Sequence, residues 1–213
     1  MNLFIDLFSG LAGASSAFVD DSTWRVLRID NNPALLEFVP ETVICDITDT
    51  VATLQVIDEW IDAQVREHGP VKRLVVWASP PCDEFSTGFS APRPTAHRQG
   101  RAFSPNMRCV SAVKIIVAEL MPEAWFVENV RGAVNDFEPF FGPWVQHHGP
   151  FYLWGKFPHV DLSCLKEHQK IKVANAHRHA PKWLRKNKQG QIPLDLSQAV
   201  KSALMTQRKL TDW

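Results

Sequence analysis

Short apolar runs and longer amphipathic stretches alternate along the first 130 residues. LFIDLF (3–8) predicts a strand and the small-residue stretch GLAGASSAFV (10–19) a helix. WRVLRID (24–30) predicts the next strand, with a short helix from Pro33 to Phe38 and a third strand at TVICDI (42–47). Residues 50–67 carry Val51, Leu54, Ile57, Ile61 and Val65 at helical spacing. RLVVWAS (73–79) is almost wholly apolar, as a strand covered on both faces should be. Residues 104–121 predict a helix with Val110, Val113, Ile116, Val117 and Leu120 along one side, and AWFVENV (124–130) a fifth strand. Beyond residue 132 the pattern weakens. FYLWGKF (151–157) predicts a late strand, residues 165–190 a loop, and IPLDLSQAVKSALM (192–205) a closing helix.

Strand–helix alternation of this kind predicts an α/β fold, a mostly parallel sheet with helices on both faces. The 213 residues suit a single domain, with a core over 1–132 and a late strand, basic loop and closing helix over 133–213. Parallel sheets bind ligands at the carboxyl ends of their strands. The unusual residues fall at those ends: Asp6, Ser9 and Gly10; Asp30; Asp46; Pro80, Pro81 and Cys82; Glu128 and Asn129. Five strand ends therefore converge on one crevice.

Charge changes the picture more than composition does. The net charge is zero, yet residues 1–70 hold twelve Asp/Glu against three Lys/Arg. The compensating excess lies mainly in 91–108, with Arg93, Arg98, Arg101 and Arg108 and no acid, and in 165–190, with eight Lys/Arg against Glu167 alone. Such stretches favour a polyanionic partner. No apolar run is long enough to span a membrane, and the N-terminus reads as a first strand rather than a signal peptide. Four scattered cysteines without a paired spacing fit a reducing, cytoplasmic setting. Cys164, His168, His177 and His179 lack the clean paired spacing of zinc ligands, and no metal is assigned to them.

Three motifs carry chemistry. In DLFSGLAG a strand runs into a glycine turn, where a backbone can approach a ligand and a following helix offers free N–H donors. In ASPPCDEFS two prolines stiffen the chain directly before Cys82, which places a nucleophilic thiol at a strand end. In FVENV the Glu128 carboxyl follows Trp125, Phe126 and Val127, bulk that raises its pKa and suits it to act as an acid near neutral pH.

In this order the motifs resemble the cytosine C5 methyltransferase family over residues 3–132. The family's cofactor turn looks like Phe8-Ser9-Gly10 through Gly13 behind Asp6. Its nucleophile loop looks like Pro81-Cys82 with Phe85-Ser86, its Glu-Asn-Val triplet like Glu128-Asn129-Val130, and its adenine-capping pair like Asp46-Ile47. The resemblance implies a Rossmann-like fold and S-adenosylmethionine as cofactor, held by Asp6, Phe8, Ser9, Gly10, Gly13, Asp30, Asp46, Ile47 and Pro80. It implies Cys82 as nucleophile on cytosine carbon 6, with Glu128 at ring nitrogen 3 and Asn129 holding the loop or the carboxylate. Pro81, Ser86 and Arg131 would face the substrate.

The family's Gln-x-Arg-x-Arg motif is absent, and Arg131, His147, His148 and Lys156 are the candidate substitutes. The residues that follow 132 are expected to be too few for the family's large target-recognition domain, which resembles compact enzymes of the kind viruses carry. The basic stretches favour DNA as substrate. RNA, a free nucleotide, or a non-catalytic binding protein of the same fold stay open as alternatives. Trp144, Phe151, Tyr152, Trp154 and Phe157 are expected to pack a late strand rather than to stack on bases.

Overall fold

The computed structural model describes residues 1–163, 165 and 180–206. In chain order the elements are β1 (Asn2–Leu7), β2 (Trp24–Asp30), a 3-10 turn (Pro33–Glu37), β3 (Thr42–Ile44), α1 (Thr50–His68), β4 (Arg73–Ala78), α2 (Pro92–Arg98), α3 (Arg108–Leu120), β5 (Ala124–Asn129), a second 3-10 turn (Arg131–Ala133), α4 (Val134–Phe141), β6 (Gln146–His148), β7 (Phe151–Lys156), α5 (Lys182–Gly190) and α6 (Leu194–Thr206). The seven strands form one mixed sheet in the order β3-β2-β1-β4-β5-β7-β6. The first five are parallel, as the alternation predicts. β7 runs antiparallel to β5, and β6 antiparallel to β7. No described helix is long and apolar enough to cross a membrane.

The chain winds outward from β1 to β3 and then returns to β4 and β5 on the other side of β1. The crossover connections beside β1 and β4 therefore diverge, and a crevice opens above the ends of these two strands. Both faces of the sheet are covered. Phe4, Val75, Trp77 and Phe126 point to one face, where they meet Phe18, Trp24 and the α6 residues Leu196, Val200, Ala203 and Leu204. Ile5, Leu7, Val76, Ala78 and Val127 point to the other, against Ile57 of α1, Val113 and Ile116 of α3 and Phe137 of α4. Full burial of one such side chain stabilises by about 1.5–3 kcal/mol. The C-terminal helix is thus a structural part of the sheet's first layer.

Several expectations are corrected. Residues 10–19 form successive turns, not a helix. Their hydrogen bonds run i to i+3, as in Ala12 N–H to the Ser9 carbonyl and Phe18 N–H to that of Ser15. The carbonyls of Leu11, Ala14 and Ala17 instead accept from Gln191 Nε2 (3.2 Å), Ser197 Oγ (2.6 Å) and Lys201 Nζ (3.0 Å). Tertiary partners replace the helical ladder, and positive φ at Gly10 and Ala12 breaks it. The third strand stops at Ile44, because Asp46 turns the chain by accepting from the N–H and hydroxyl of Thr48. Within the stretch read as a loop, α5 occupies 182–190. The sequence pattern does not separate α4 or the three-residue β6 from their surroundings.

Candidate active site

The turn after β1 is strained. Phe8 (φ 58°), Gly10 (φ 49°) and Ala12 (φ 59°) all lie in the left-handed region. For two non-glycine residues this conformation is costly, and such strain clusters at ligand sites. Asp30, at the end of β2, holds the turn: its two carboxylate oxygens accept from Gly10 N–H and Asn32 N–H, both at 3.0 Å. Ser9 is buried and its hydroxyl has no partner among the described residues. Asp6 lies beneath the turn, opposite Arg28 in the register, and one of its carboxylate oxygens is likewise unpartnered. Burial pushes the Asp6 carboxyl up to about 7, partly offset by a hydrogen bond with Ser15 and by the Arg28 guanidinium. Arg28 itself donates to Ser15 Oγ (2.9 Å) and pairs with Glu41 (3.5 Å).

The β4 turn carries Cys82. Pro80 is buried, Pro81 is exposed and Cys82 is half-buried. The Cys82 carbonyl accepts from Phe85 N–H (3.1 Å) and Ser86 N–H (3.0 Å), which closes the loop on itself. Phe85 is buried edge-on against Phe137, with ring centroids 5.0 Å apart. Ser86 Oγ accepts from Gly88 N–H (3.2 Å), so its hydroxyl caps a local turn.

β5 brings the third motif alongside. Asn129, fully buried, donates from Nδ2 to the Pro80 carbonyl at 2.8 Å and accepts from Val130 N–H at 2.9 Å. One amide thereby ties the Cys82 loop to the end of β5. Gly132 follows at a point of close approach: a methyl group there would overlap the Phe85 carbonyl oxygen. Glu128 is buried, and burial pushes its carboxyl up to about 8, against a hydrogen bond with Ser79 that pulls it back. Ser79 also accepts from Trp77 Nε1 at 2.8 Å. Burial pushes the Cys82 thiol up to about 11; the Glu128 and Asp83 carboxylates add to this, and Lys186 works against it.

The remaining predicted residues are more spread out. Ile47 is buried and Asp46 exposed. An open groove of about 400 Å³, lined by Thr48, Met107, Arg108, Ser111 and Ile115 among others, lies just past this pair. Gly13 abuts the Ile192 backbone, where its bare Cα admits the segment leading to α6. Arg131 is exposed directly after Val130. Lys156 pairs with Trp125, at the opposite end of β5 from Asn129, and is too far from the thiol to act there. His147 pairs with Tyr152, itself opposite Asn129, and the two rings stack at 4.8 Å. Trp154 is fully buried, and Phe157 stacks on Phe126 at 4.3 Å, which places them in the core as expected. Cys164, His168, His177 and His179 lie outside the described residues.

The sequence reading missed α5, which lies across the mouth of the crevice. Trp183 packs edge-on against Phe38 (5.9 Å), a methyl group on Gly10 would stand 2.6 Å from Asn187 Oδ1, and Lys186 Nζ reaches Asp83 Oδ2 at 2.6 Å. Pro181 before the helix and Gly190 at its end were a usable signal. Eight cations around them made the stretch look like a solvated loop.

No protein-family model and no curated protein sequence matches the chain. Among solved structures, a methyltransferase from Entamoeba histolytica is similar at 14% identity and a TM-score of 0.46, over 73% of this chain and 53% of that one. The chain thus spans about half the length of that protein.

Proposed function

We propose that this chain transfers a methyl group from S-adenosylmethionine to carbon 5 of cytosine in DNA, through a covalent bond to Cys82. The observation that carries the reading is the joining of two motifs. The proline-stiffened turn of Cys82 is held through the Pro80 carbonyl by Asn129, the neighbour of a buried Glu128. A binding module needs neither a placed thiol nor a carboxylic acid that stays protonated at neutral pH.

The β1 turn fits such a cofactor. The unpartnered Ser9 hydroxyl and the left-handed backbone of Phe8 and Gly10 present polar groups at the switch point, under Asn187 of α5. Phe8, Ser9 and Gly10 would hold its central part, Asp30 its ribose, Asp46 and Ile47 its adenine. Asp6 and Gly13 support the turn from behind, and Pro80 closes the side next to the nucleophile. When bound, the cofactor supplies an electrophilic methyl group.

The chain's own residues prepare the acceptor. Carbon 5 of cytosine is too poor a nucleophile to be alkylated directly. The Cys82 thiolate adds to carbon 6, and the ring's electron density shifts toward carbon 5 and nitrogen 3. The Glu128 carboxyl gives its proton to nitrogen 3, which removes the negative charge that would otherwise drive the sulfur off. Asn129 fixes the loop so that sulfur and carboxyl keep their separation. After alkylation, a water molecule takes the carbon 5 proton, the double bond re-forms as the Cys82 thiolate departs, and nitrogen 3 returns its proton to Glu128. The target base must leave a duplex to reach this site. Pro81, Ser86 and Arg131 lie on its rim. Beyond them Phe89 is 79% exposed beneath Arg98, with the guanidinium 3.8 Å from the ring centroid. A cation and an exposed ring side by side suit backbone phosphate and an unpaired base.

The test is transfer of labelled methyl from S-adenosylmethionine to duplex DNA, single-stranded DNA, RNA and dCMP in parallel, with Cys82→Ala as control. Label on cytosine carbon 5 of DNA, lost in the variant, is the expected result. Label on RNA or dCMP alone would move the substrate class. No label on any of the four, with the cofactor still bound, would overturn the enzymatic reading.

A further inference from the structure

The family's arginine motif has no counterpart here, yet one cation does stand beside the nucleophile loop. α5 carries Lys186 to Asp83, the residue after Cys82, and the pair closes at 2.6 Å. The helix does not reach there by chance of a long side chain. Trp183 rests on Phe38 beyond β2, Asn187 stands over Gly10 beyond β1, and Gln191 bonds the Leu11 carbonyl. These neighbours seat the helix and its C-cap over two strand ends, and the lysine is presented from that seat.

The charged groups facing Cys82 are Glu128 from β5, Asp83 from its own loop and Lys186 from α5. Two are acids and one is a cation. With Glu128 protonated, Asp83 is the remaining negative charge near the sulfur. Its field disfavours a thiolate unless a cation neutralises it.

We propose that Lys186 is the positioning residue of the nucleophile: by holding Asp83 in an ion pair across the crevice mouth, it keeps the Cys82 sulfur reactive. The role deepens the proposed methyl transfer and rests on it for its biological meaning. The chemistry of the thiol can be read without it.

The experiment is the rate of Cys82 alkylation by iodoacetamide across pH, followed on the Cys82 peptide by mass spectrometry in the full chain. Lys186→Gln is expected to move the alkylation profile to higher pH, slowing the reaction about three- to tenfold at pH 8 and low salt. Lys186→Arg should restore the original profile. Asp83→Asn should speed the reaction, and adding Lys186→Gln to it should change little further. The Lys186→Gln effect should shrink at 0.5 M salt, because the pair is about half-exposed. An unchanged profile in Lys186→Gln would overturn the proposal. So would an equal slowing in the Asp83→Asn background, since Lys186 would then act on the sulfur directly and not through Asp83. Alkylation needs no cofactor and no base. A failure of methyl transfer alongside the expected shifts would therefore sink the enzymatic reading while leaving the ion-pair role intact.

Discussion

A carboxyl that holds its proton up to about pH 8 and a thiol that holds its own up to about pH 11 set a specific pH dependence for the proposed methyl transfer. The productive pair is protonated Glu128 with ionised Cys82. Below about 8, kcat/KM should rise about tenfold per pH unit as the thiolate fraction grows. Above that point loss of the Glu128 proton cancels the gain, and the profile should level. Glu128→Gln keeps a neutral donor but has no proton to transfer. We expect kcat to fall by about a hundredfold or more, with a profile that keeps climbing past pH 8. A variant that still levels near 8 would assign the limb to another group. The sequence disclosed the bulk around Glu128 and so the direction of its shift. It did not disclose Ser79 or Lys186, which reach the site from a strand end and from a helix a hundred residues downstream.

Among the elements, the nucleophile loop and the 3-10 turn after β5 are machined to each other at Gly132. Gly132→Ala forces the Phe85 carbonyl to move and with it the loop that Asn129 holds. Overpacking of this kind costs about 1–3 kcal/mol of stability. The loss in kcat should be disproportionate, about a hundredfold, because a displacement near 1 Å at the reacting atom has that effect. Thermal unfolding beside steady-state kinetics separates the two. A drop in stability with kcat retained would show that the loop tolerates the shift. The same scale explains which elements were legible. Strands β1, β2, β4, β5 and β7 declare themselves through apolar runs, and α1 and α3 through their spacing. Residues 10–19 have a helical pattern but satisfy their carbonyls with Gln191, Ser197 and Lys201, partners that no local pattern contains.

For the whole molecule, the acidic first third builds β1, β2, β3 and α1, and α5, from the basic second part, lies over the ends of β1 and β2 and reaches Asp83 beside Cys82. The two oppositely charged parts of the chain thereby meet at the strand ends. Two buried acids also tie stability to pH. Asp6 is raised to about 7 and Glu128 to about 8, so the folded state holds two protons that the unfolded chain releases near pH 4. Stability should therefore fall as pH rises from about 4 to about 8, by up to roughly 4 kcal/mol for each group. Denaturant midpoints at pH 5 and pH 8 check this. The Asp6→Asn, Glu128→Gln double variant should flatten the difference, and a wild-type chain no less stable at pH 8 would contradict it.

The two outermost strands, β3 and β6, are three residues long, whereas those between them have six or seven. The sheet tapers at both margins. Beside β6, the Gln146 amide takes the place of a partner backbone, accepting from Val160 N–H (2.8 Å) and donating to its carbonyl (3.0 Å). A chain of zero net charge has little long-range repulsion to keep its copies apart. Strands this short give a second molecule few free backbone groups on which to extend the sheet beyond β3 or β6 themselves. At these two strands, length rather than charge limits edge-to-edge pairing.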